Sequence, residues 1–262
     1  MALCVGFDTS NYTTSVAFCD GGEGRNESRI LDVPQGALGL RQSDALFLHV
    51  RRLPEIVERL LQGRNLNGAA VVAAGREDLL DRPFLAWHLS GGTTELLHVV
   101  PDGAAVHAEV IGGTTDISAG QLIDRTGVLL GLPFPAGRHV DELYYQANST
   151  LSYRVKLQGL QFSLSGMENK VKALMEQGEA PATIARFAVD TVAGAVRRAT
   201  AAAKERYPGL PVLCSGGVAS NSVLRSMLRD ACFAAPEFSR DNAMGIAVLA
   251  RRAYERGVCG EQ

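Results

Sequence analysis

One short turn of serine, glycine and threonine, enclosed by two apolar runs, constrains this chain more than any other feature. The apolar runs are residues 84–89 and 96–100, and Ser90-Gly-Gly-Thr-Thr94 lies between them. Runs of this length bounded by glycine predict a β-hairpin. Glycine lets a ligand approach the backbone closely, and consecutive N–H groups can form an anion-binding concavity. The pattern therefore predicts either an ordinary hairpin turn or a cradle for phosphate.

Similar patterns occur elsewhere in the chain, which favours the cradle. Residues 3–19 also read as strand, hydroxyl-rich turn and strand. Residues 210–221 read as a strand, then Ser215-Gly-Gly217, then Asn221 at the start of a helix. A helix N-terminus adds free N–H groups and partial positive charge, which suit phosphate. We interpret residues 3–19 and residues 85–100 as an internal duplication whose turns face each other across a cleft.

The length and the composition limit the classes of protein that remain. The chain has 262 residues, 46% apolar and 21% charged, which fits one large domain or two closely joined ones. The net charge of −2 gives no general attraction to nucleic acid, so RNA contact would need a local patch or a partner protein. Five scattered cysteines without a Cys-x-x-Cys pair predict neither a disulfide framework nor a cysteine zinc site. Without a signal peptide or a run of about 18 apolar residues, we expect a cytoplasmic protein with no membrane partner.

The helical pattern is strongest in the second half of the chain. We predict five helices there: residues 121–130, residues 140–147, a helix that follows Lys170 and ends near Gly178, one from Pro181 towards Tyr207, and residues 222–229. Asp124 would lie in the first turn of the first of them. An earlier helix begins at Ser43-Asp44, and its lone His49 is interpreted as an ordinary surface or core residue. Paired arginines occur at 197–198 and 251–252. They either form part of an RNA-binding surface or lie on solvent-exposed helix faces. Gly-x-Gly-x-x-Gly, P-loop and Gly-x-Ser-x-Gly motifs are all missing from the sequence.

Seven collinear segments resemble the glycoprotease-like family, the tRNA threonylcarbamoyladenosine transferases of the actin–hexokinase superfamily. They are Gly6-Phe-Asp-Thr-Ser10, Leu89-Ser-Gly-Gly-Thr-Thr-Glu95, Gly120-Gln-Leu-Ile-Asp-Arg-Thr126, Leu130-Gly-Leu-Pro-Phe-Pro-Ala-Gly137, Phe162-Ser-Leu-Ser-Gly166, Gly216-Gly-Val-Ala-Ser-Asn-Ser-Val-Leu-Arg225 and Asp241-Asn-Ala-Met-Gly-Ile-Ala247. The first turn departs from the family's Glu-Thr-Ser-Cys-Asp-Glu, because this chain has Asp8-Thr-Ser-Asn-Tyr-Thr13. The chain therefore looks like a divergent member.

The resemblance implies an α/β fold of two duplicated actin/hexokinase-like, that is ribonuclease H-like, lobes with a nucleotide cleft between them. We expect one lobe over residues 1–115, shortened near 68–69, and the other over residues 116–262. The terminal helix, residues 241–257, would pack back on the first lobe. A homodimer or heterodimer is compatible with this reading.

The resemblance also implies a set of site residues for ATP or an adenylate. The nucleotide phosphates would lie in the turn formed by Leu89, Ser90, Gly91, Gly92 and Thr93. Around them would stand Asp124 at the ribose hydroxyls, Gly137 and Gly216-Gly217 beside the nucleotide, and Asn221 hydrogen-bonded to it. Asp8 and Ser10 are the candidate catalytic residues; Asp8 would hold a cation or a water, or would only cap its turn.

The family's metal site is incomplete in this sequence. Asp241 matches the family's metal-ligand aspartate, for iron, zinc or magnesium. The family pairs it with a His-x-x-x-His helix, whereas no two of the five histidines here are four residues apart. We hypothesise that a segment between Gly68 and Ala69 is missing.

Three functions remain open at this point. The first is an ATP-binding carbamoyltransferase that reaches tRNA through partner proteins. The second is a small-molecule kinase of the same superfamily. The third is a non-catalytic nucleotide-binding scaffold that lacks the metal histidines. Peptidase activity has no support, because the sequence offers no credible nucleophile–base pair or zinc motif.

Overall fold

The protein forms two mixed groups of strands and helices. Its computed structural model describes residues 4–9, 13–20, 23–33, 81–102, 105–151 and 153–233, together with scattered positions at 40–60, 79, 247 and 255. The predictions for Ser10, for residues 61–78 and for Asp241 lie outside the described residues. No described helix is long and apolar enough to cross a membrane.

The first sheet is an antiparallel meander of β1 (Cys4–Asp8), β2 (Thr13–Asp20) and β3 (Glu23–Ile30). The apolar residues of β2 alternate towards a small core, in which Val16 and Phe18 pack with Ile56 and Leu60. The described positions between 44 and 60 are helical, as predicted. His49 in that region is buried, and its Nδ1 lies 2.8 Å from Thr14 Oγ1, within hydrogen-bond distance. Of the two ordinary places expected for it, surface or core, it occupies the core.

The second sheet has seven strands in the order β10-β9-β4-β5-β6-β8-β7. Their bounds are β4 (Phe84–Leu89), β5 (Thr94–Asp102), β6 (Ala105–Thr114), β7 (Leu157–Gln158), β8 (Gln161–Phe162), β9 (Val212–Ser215) and β10 (Cys232–Phe233). Strands β4, β5 and β6 form an antiparallel meander, while β9 runs parallel to both β4 and β10. The predicted hairpin is thus confirmed, with Leu89 opposite Thr94.

This topology bears on the lobe boundary and on the duplication. Each sheet contains a three-stranded antiparallel meander, which agrees with the repeated strand–turn–strand pattern. A boundary between residues 115 and 116 would separate β4–β6 from β9 and β10, although β4 and β9 are hydrogen-bonded neighbours. The expected lobe limits therefore differ from the sheet limits. The lobe limits themselves stay a prediction.

Five helices accompany the second sheet among the described residues. They are α1 (Ala119–Leu129), α2 (Gly137–Tyr144), α3 (Ser165–Glu176), α4 (Pro181–Arg206) and α5 (Ser222–Met227). Helix α1 begins two residues before the predicted position, so Asp124 lies in its second turn and not its first. Helix α4 begins with proline at its first position, as predicted, because proline's missing N–H costs nothing there.

Helix α4 supplies the largest share of the second core. Its buried residues include Phe187, Val192 and Val196, and they belong to one cluster with strand residues Leu85 and Trp87. The fully buried Trp87 donates its indole Nε1–H to Thr200 Oγ1 at 2.8 Å, so its polar group is satisfied in the core. This contact joins β4 to the helix and fixes the strand that carries the candidate turn.

Candidate functional site

The Ser-Gly-Gly-Thr turn follows β4 and is held by its own hydrogen bonds. Ser90 N–H donates to the Thr93 carbonyl at 2.9 Å, and Thr93 N–H donates to Ser90 Oγ at 3.0 Å. Ser90 is buried, whereas Gly91 and Gly92 are exposed. The turn is therefore fixed at its ends and open at its tip.

Helix α1 supports this turn from one side. Ser118, its N-cap, donates its Oγ–H to the Gly91 carbonyl at 2.7 Å, and Ala119 N–H donates to Thr94 Oγ1 at 2.8 Å. Ser118 and Gln121 also form a capping box, in which each side chain accepts the other residue's N–H. A Cβ at Gly120 would lie 2.4 Å from the Ser90 carbonyl oxygen, so only glycine permits this approach.

The second glycine turn meets the first at the carboxyl end of two parallel strands. His88 in β4 is paired with Ser215 in β9, and Gly216 follows directly. Gly216 has a φ of 95°, and a Cβ there would lie 2.2 Å from the Leu89 carbonyl oxygen. A side chain is therefore excluded both by conformation and by contact. The structure thus brings Leu89–Thr93 and Gly216–Gly217 together.

Asp124 lies further along α1 and holds the start of α2. Its Oδ1 accepts the Ala136 N–H at 2.8 Å. Burial raises the pKa of Asp124, and hydrogen bonds from the backbone of Ala136 and Gly137 oppose that rise without cancelling it. Asp124 and Gly137, which the sequence assigned to one site, are therefore direct neighbours. A carboxylate has about four acceptor positions, so these bonds leave capacity for a ligand's hydroxyl donors.

Asn221 caps α5 and is fixed by an aspartate that the sequence analysis missed. Its Oδ1 accepts the Leu224 N–H at 3.0 Å, and its Nδ2–H donates to Asp141 Oδ1 at 2.9 Å. Asp141 also accepts from the backbone and hydroxyl of Ser222. The spacing of 80 residues between Asp141 and Asn221 gives no local sequence signal for this contact.

Three glycines of the site have free space in front of them. A Cβ at Gly91, Gly137 or Gly217 would meet no atom within 4 Å, in contrast to Gly120 and Gly216, where neighbouring backbone is already in contact. The tight glycines therefore serve the packing of the turns. The open ones leave backbone accessible to a ligand.

Asp116 is a second polar centre that the sequence did not predict. Its carboxylate accepts the Leu164 N–H at 2.8 Å and the Ser165 hydroxyl at 2.7 Å, and Ser163 donates to it as well. Partial burial raises the pKa of Asp116, but these bonds outweigh burial and hold the pKa well below its usual range. Asp116 thus joins the end of β6 to the start of α3. The only signal for it was that Phe162-Ser-Leu-Ser-Gly166 is rich in hydroxyls.

The described residues provide no metal centre. Within them, no three His, Cys, Asp or Glu side chains are grouped as metal ligands would be, and Asp241 lies outside the described part. Two of the histidines make other contacts. His98 stacks on Tyr207 with ring centroids 4.6 Å apart, and His139 Nδ1 lies 3.8 Å from Glu142 Oε2. Asp8 ends β1 opposite Ser15 and is mostly buried. The described donor set does not fit a divalent metal.

The fold is of the actin/hexokinase-like type. Component A of the (R)-2-hydroxyglutaryl-CoA dehydratase of Acidaminococcus fermentans resembles it with a TM-score of 0.55 and 15% identity, over 97% of both chains. Full-length HypF, in its phosphate- and nucleotide-bound form, resembles it with a TM-score of 0.57 and 13% identity, over 97% of this chain and 56% of that one. At these identities the likeness concerns the fold alone.

Sequence similarity identifies the family within this class. Residues 64–248 match the model of TsaD, tRNA N6-adenosine threonylcarbamoyltransferase. A protein of that name from Thermus thermophilus is 32% identical, with 84% of this chain and 74% of the relative covered. The corresponding protein of Enterococcus faecalis is 35% identical over 74% of this chain and 56% of its own length. The chain belongs to the TsaD family of transferases, as the motifs had indicated.

Proposed function

We propose that this protein binds ATP or an adenylate at the two joined glycine turns. The observation that supports this most strongly is the contact between Leu89 and Gly216, where two N–H-rich turns lie at the carboxyl ends of parallel strands. In α/β folds that edge is the usual place for a ligand. The free space at Gly91 and Gly217 would let phosphate oxygens reach the backbone N–H groups.

The surrounding residues would orient the rest of the nucleotide. Asp124 is held by the backbone at Ala136 and would accept hydrogen bonds from the ribose hydroxyls. Gly137 would lie against the nucleotide, because it offers no side chain. The Asn221 amide has a second N–H beside the one that it donates to Asp141, and its oxygen has a second lone pair beside the one that accepts from Leu224. These two groups would hydrogen-bond the nucleotide.

The reaction we propose is the transfer of a threonylcarbamoyl group to tRNA, reached with the help of partner proteins. Preorganised N–H groups of Gly91 and Gly92 would stabilise charge that develops on the phosphate as the acyl group leaves. Asp8 and Ser10 remain the candidate catalytic residues. A divalent metal at Asp241 would polarise the acyl group in a family member with the histidine helix, but the described residues of this chain do not supply its ligands.

A nucleotide-binding protein without metal chemistry is the second candidate function. It is favoured by the lack of any pair of histidines four residues apart in the sequence. The match to a transferase family disfavours the kinase alternative. Metal analysis together with a transfer assay separates the two remaining candidates.

The test of the nucleotide site uses the open glycines. Gly91→Ala and Gly217→Ala each place a methyl group where no protein atom lies within 4 Å, so the melting temperature should stay unchanged. The same methyl group would occupy the space that the phosphates need, and the affinity for ATP, measured by calorimetry, should fall about tenfold, which is ~1.4 kcal/mol. Gly166→Ala in α3 is the matched control, because it also meets no atom within 4 Å. Unchanged affinity in both site variants would contradict the proposal.

A further inference from the structure

A cluster of positive charge lies on the segment before β7 and on the outer face of α4. It consists of the cations Arg154, Lys156, Lys170, Arg197 and Arg198 and the aromatic residue Tyr153, and we call it the basic groove. Arg154, Lys156 and Arg198 line an open cavity of about 350 Å³ together with Val155 and Leu157. Arg154, Lys156, Lys170 and Arg197 are exposed, so their charges face solvent.

The basic groove is a built feature of the fold. Arg198 is half-buried and donates Nη2–H to the Val155 carbonyl at 2.7 Å, which fastens the 153–157 segment to α4. Burial lowers the pKa of Arg198, and the like charges of Arg154 and Arg197 lower it further. These cations are therefore close enough to repel one another.

No acidic side chain of the described residues neutralises the basic groove. The exposed Arg138 and Lys204 elsewhere each pair with a carboxylate, whereas none of the five groove cations has an ion pair in the described part of the chain. The sequence gives the reason, because residues 143–167 and 191–204 contain no Asp or Glu. Holding like charges together without partners costs free energy, which points to a polyanionic ligand.

An exposed aromatic ring in the basic groove indicates which polyanion. Tyr153 is 46% exposed, and Lys170 Nζ lies 4.3 Å from the centre of its ring. Rings among cations suit nucleic acid, because bases stack on the ring while phosphates contact the charges. An acidic protein would use the charges but has no bases to stack.

We infer that the basic groove binds the backbone of an RNA, with a base stacked on Tyr153. This inference rests on the proposed function, since tRNA is the acceptor there, and adds a docking surface on this chain itself. Lys170 and Glu168 lie on the same helix, and Glu168 pairs at 2.6 Å with Arg125, the neighbour of Asp124. An RNA on the groove would thus lie along the helix that contacts the nucleotide-binding helix.

The test compares two charge reversals of equal size in the full-length chain. Arg154→Glu with Lys156→Glu alters the groove, and Lys204→Glu with Arg206→Glu is the control on the far end of α4. Binding of unfractionated tRNA is measured by fluorescence anisotropy between about 50 and 200 mM salt. The groove variant should bind at least about tenfold more weakly, with a salt slope smaller by about two, one for each lost phosphate contact. The control should bind like the wild type.

Further measurements give each outcome a distinct meaning. Tyr153→Ala should weaken tRNA binding but leave polyglutamate binding unchanged; polyglutamate bound as tightly as tRNA would overturn the assignment in favour of an acidic protein. Equal tRNA affinity in both charge variants, or no tRNA binding by the wild type at low salt, would overturn the basic groove as an RNA surface. ATP affinity, which none of these changes should affect, reports separately on the proposed function.

Discussion

The contact between α1 and the Ser-Gly-Gly-Thr turn predicts an unusual response to Gly120→Ala. In a helix, alanine normally stabilises relative to glycine by about 1 kcal/mol. At Gly120 the new Cβ would lie 2.4 Å from the Ser90 carbonyl oxygen and 2.6 Å from Gly91 Cα, so one element must move. The helix start would then lose the bonds from Ser118 to Gly91 and from Ala119 to Thr94.

These losses outweigh the gain from helix propensity. The two hydrogen bonds contribute about 1 kcal/mol each and overpacking costs a further 1–3 kcal/mol, so after the helix gain of about 1 kcal/mol the net destabilisation should be about 2–4 kcal/mol. In a chain of this size, where each kcal/mol corresponds to about 2 °C, that lowers the melting temperature by roughly 4–8 °C. ATP affinity should also fall, because the turn itself is displaced.

The matched substitution is Gly194→Ala within α4. Its Cβ would meet only the end of the Arg198 side chain, at 3.7 Å, so the ordinary helix gain should appear as a higher melting temperature. The assay is urea and thermal unfolding followed by circular dichroism. If Gly120→Ala raised stability as Gly194→Ala does, the close packing of α1 on the turn would be refuted.

Three further predictions follow from other residues. Asp116→Asn should destabilise the protein by about 1–2 kcal/mol at neutral pH, towards the lower end because the site is exposed. The folded-state pKa of Asp116 lies below the unfolded-state pKa of 3.8, so the difference in unfolding free energy between wild type and variant should be fully present above pH 3.8. It should be lost as the pH falls from 3.8 through the folded-state pKa. A stability difference that survived in acid would contradict the assignment. Burial, with a smaller contribution from Cys232, raises the pKa of Cys214 to about 12, so a thiol reagent at pH 8 should label it only after denaturation, as peptide mass mapping would reveal. Finally, the 262-residue chain should retain far less than one iron or zinc per molecule after dialysis; one bound metal per chain by elemental analysis would mean that other ligands replace the missing histidines.

Local sequence signals were sufficient wherever the structure depends on near neighbours. The hairpin around Ser90, the proline start of α4 and the Gly-Gly turn after β9 could all be predicted, because each has its signal within a few residues. The start of α1 was missed by two residues, although Ser118 and Gln121 form a capping box that the sequence displays. The amphipathic pattern of α1 begins only after the cap, so it places the start of the helix two residues late.

Long-range contacts were beyond sequence reasoning. Asp141 contacts Asn221 across 80 residues, and Asp116 contacts Leu164 across 48. Neither aspartate differs in its local sequence from an ordinary surface residue. The parallel pairing of β4 with β9 had no local signal either, because it joins residues more than a hundred positions apart.

The candidate site also separates into parts with different tolerance to change. The part that we propose binds phosphate consists of backbone and close glycine contacts, at Leu89 with Gly216 and at Ser90 with Gly120, so it depends on the fold more than on any reactive side chain. A metal site depends instead on a few ligands brought by separate segments, and the loss of one segment abolishes it. Nucleotide binding can therefore persist in a chain without the histidine helix. For this reason ATP affinity and metal content must be measured independently, since neither result can stand for the other.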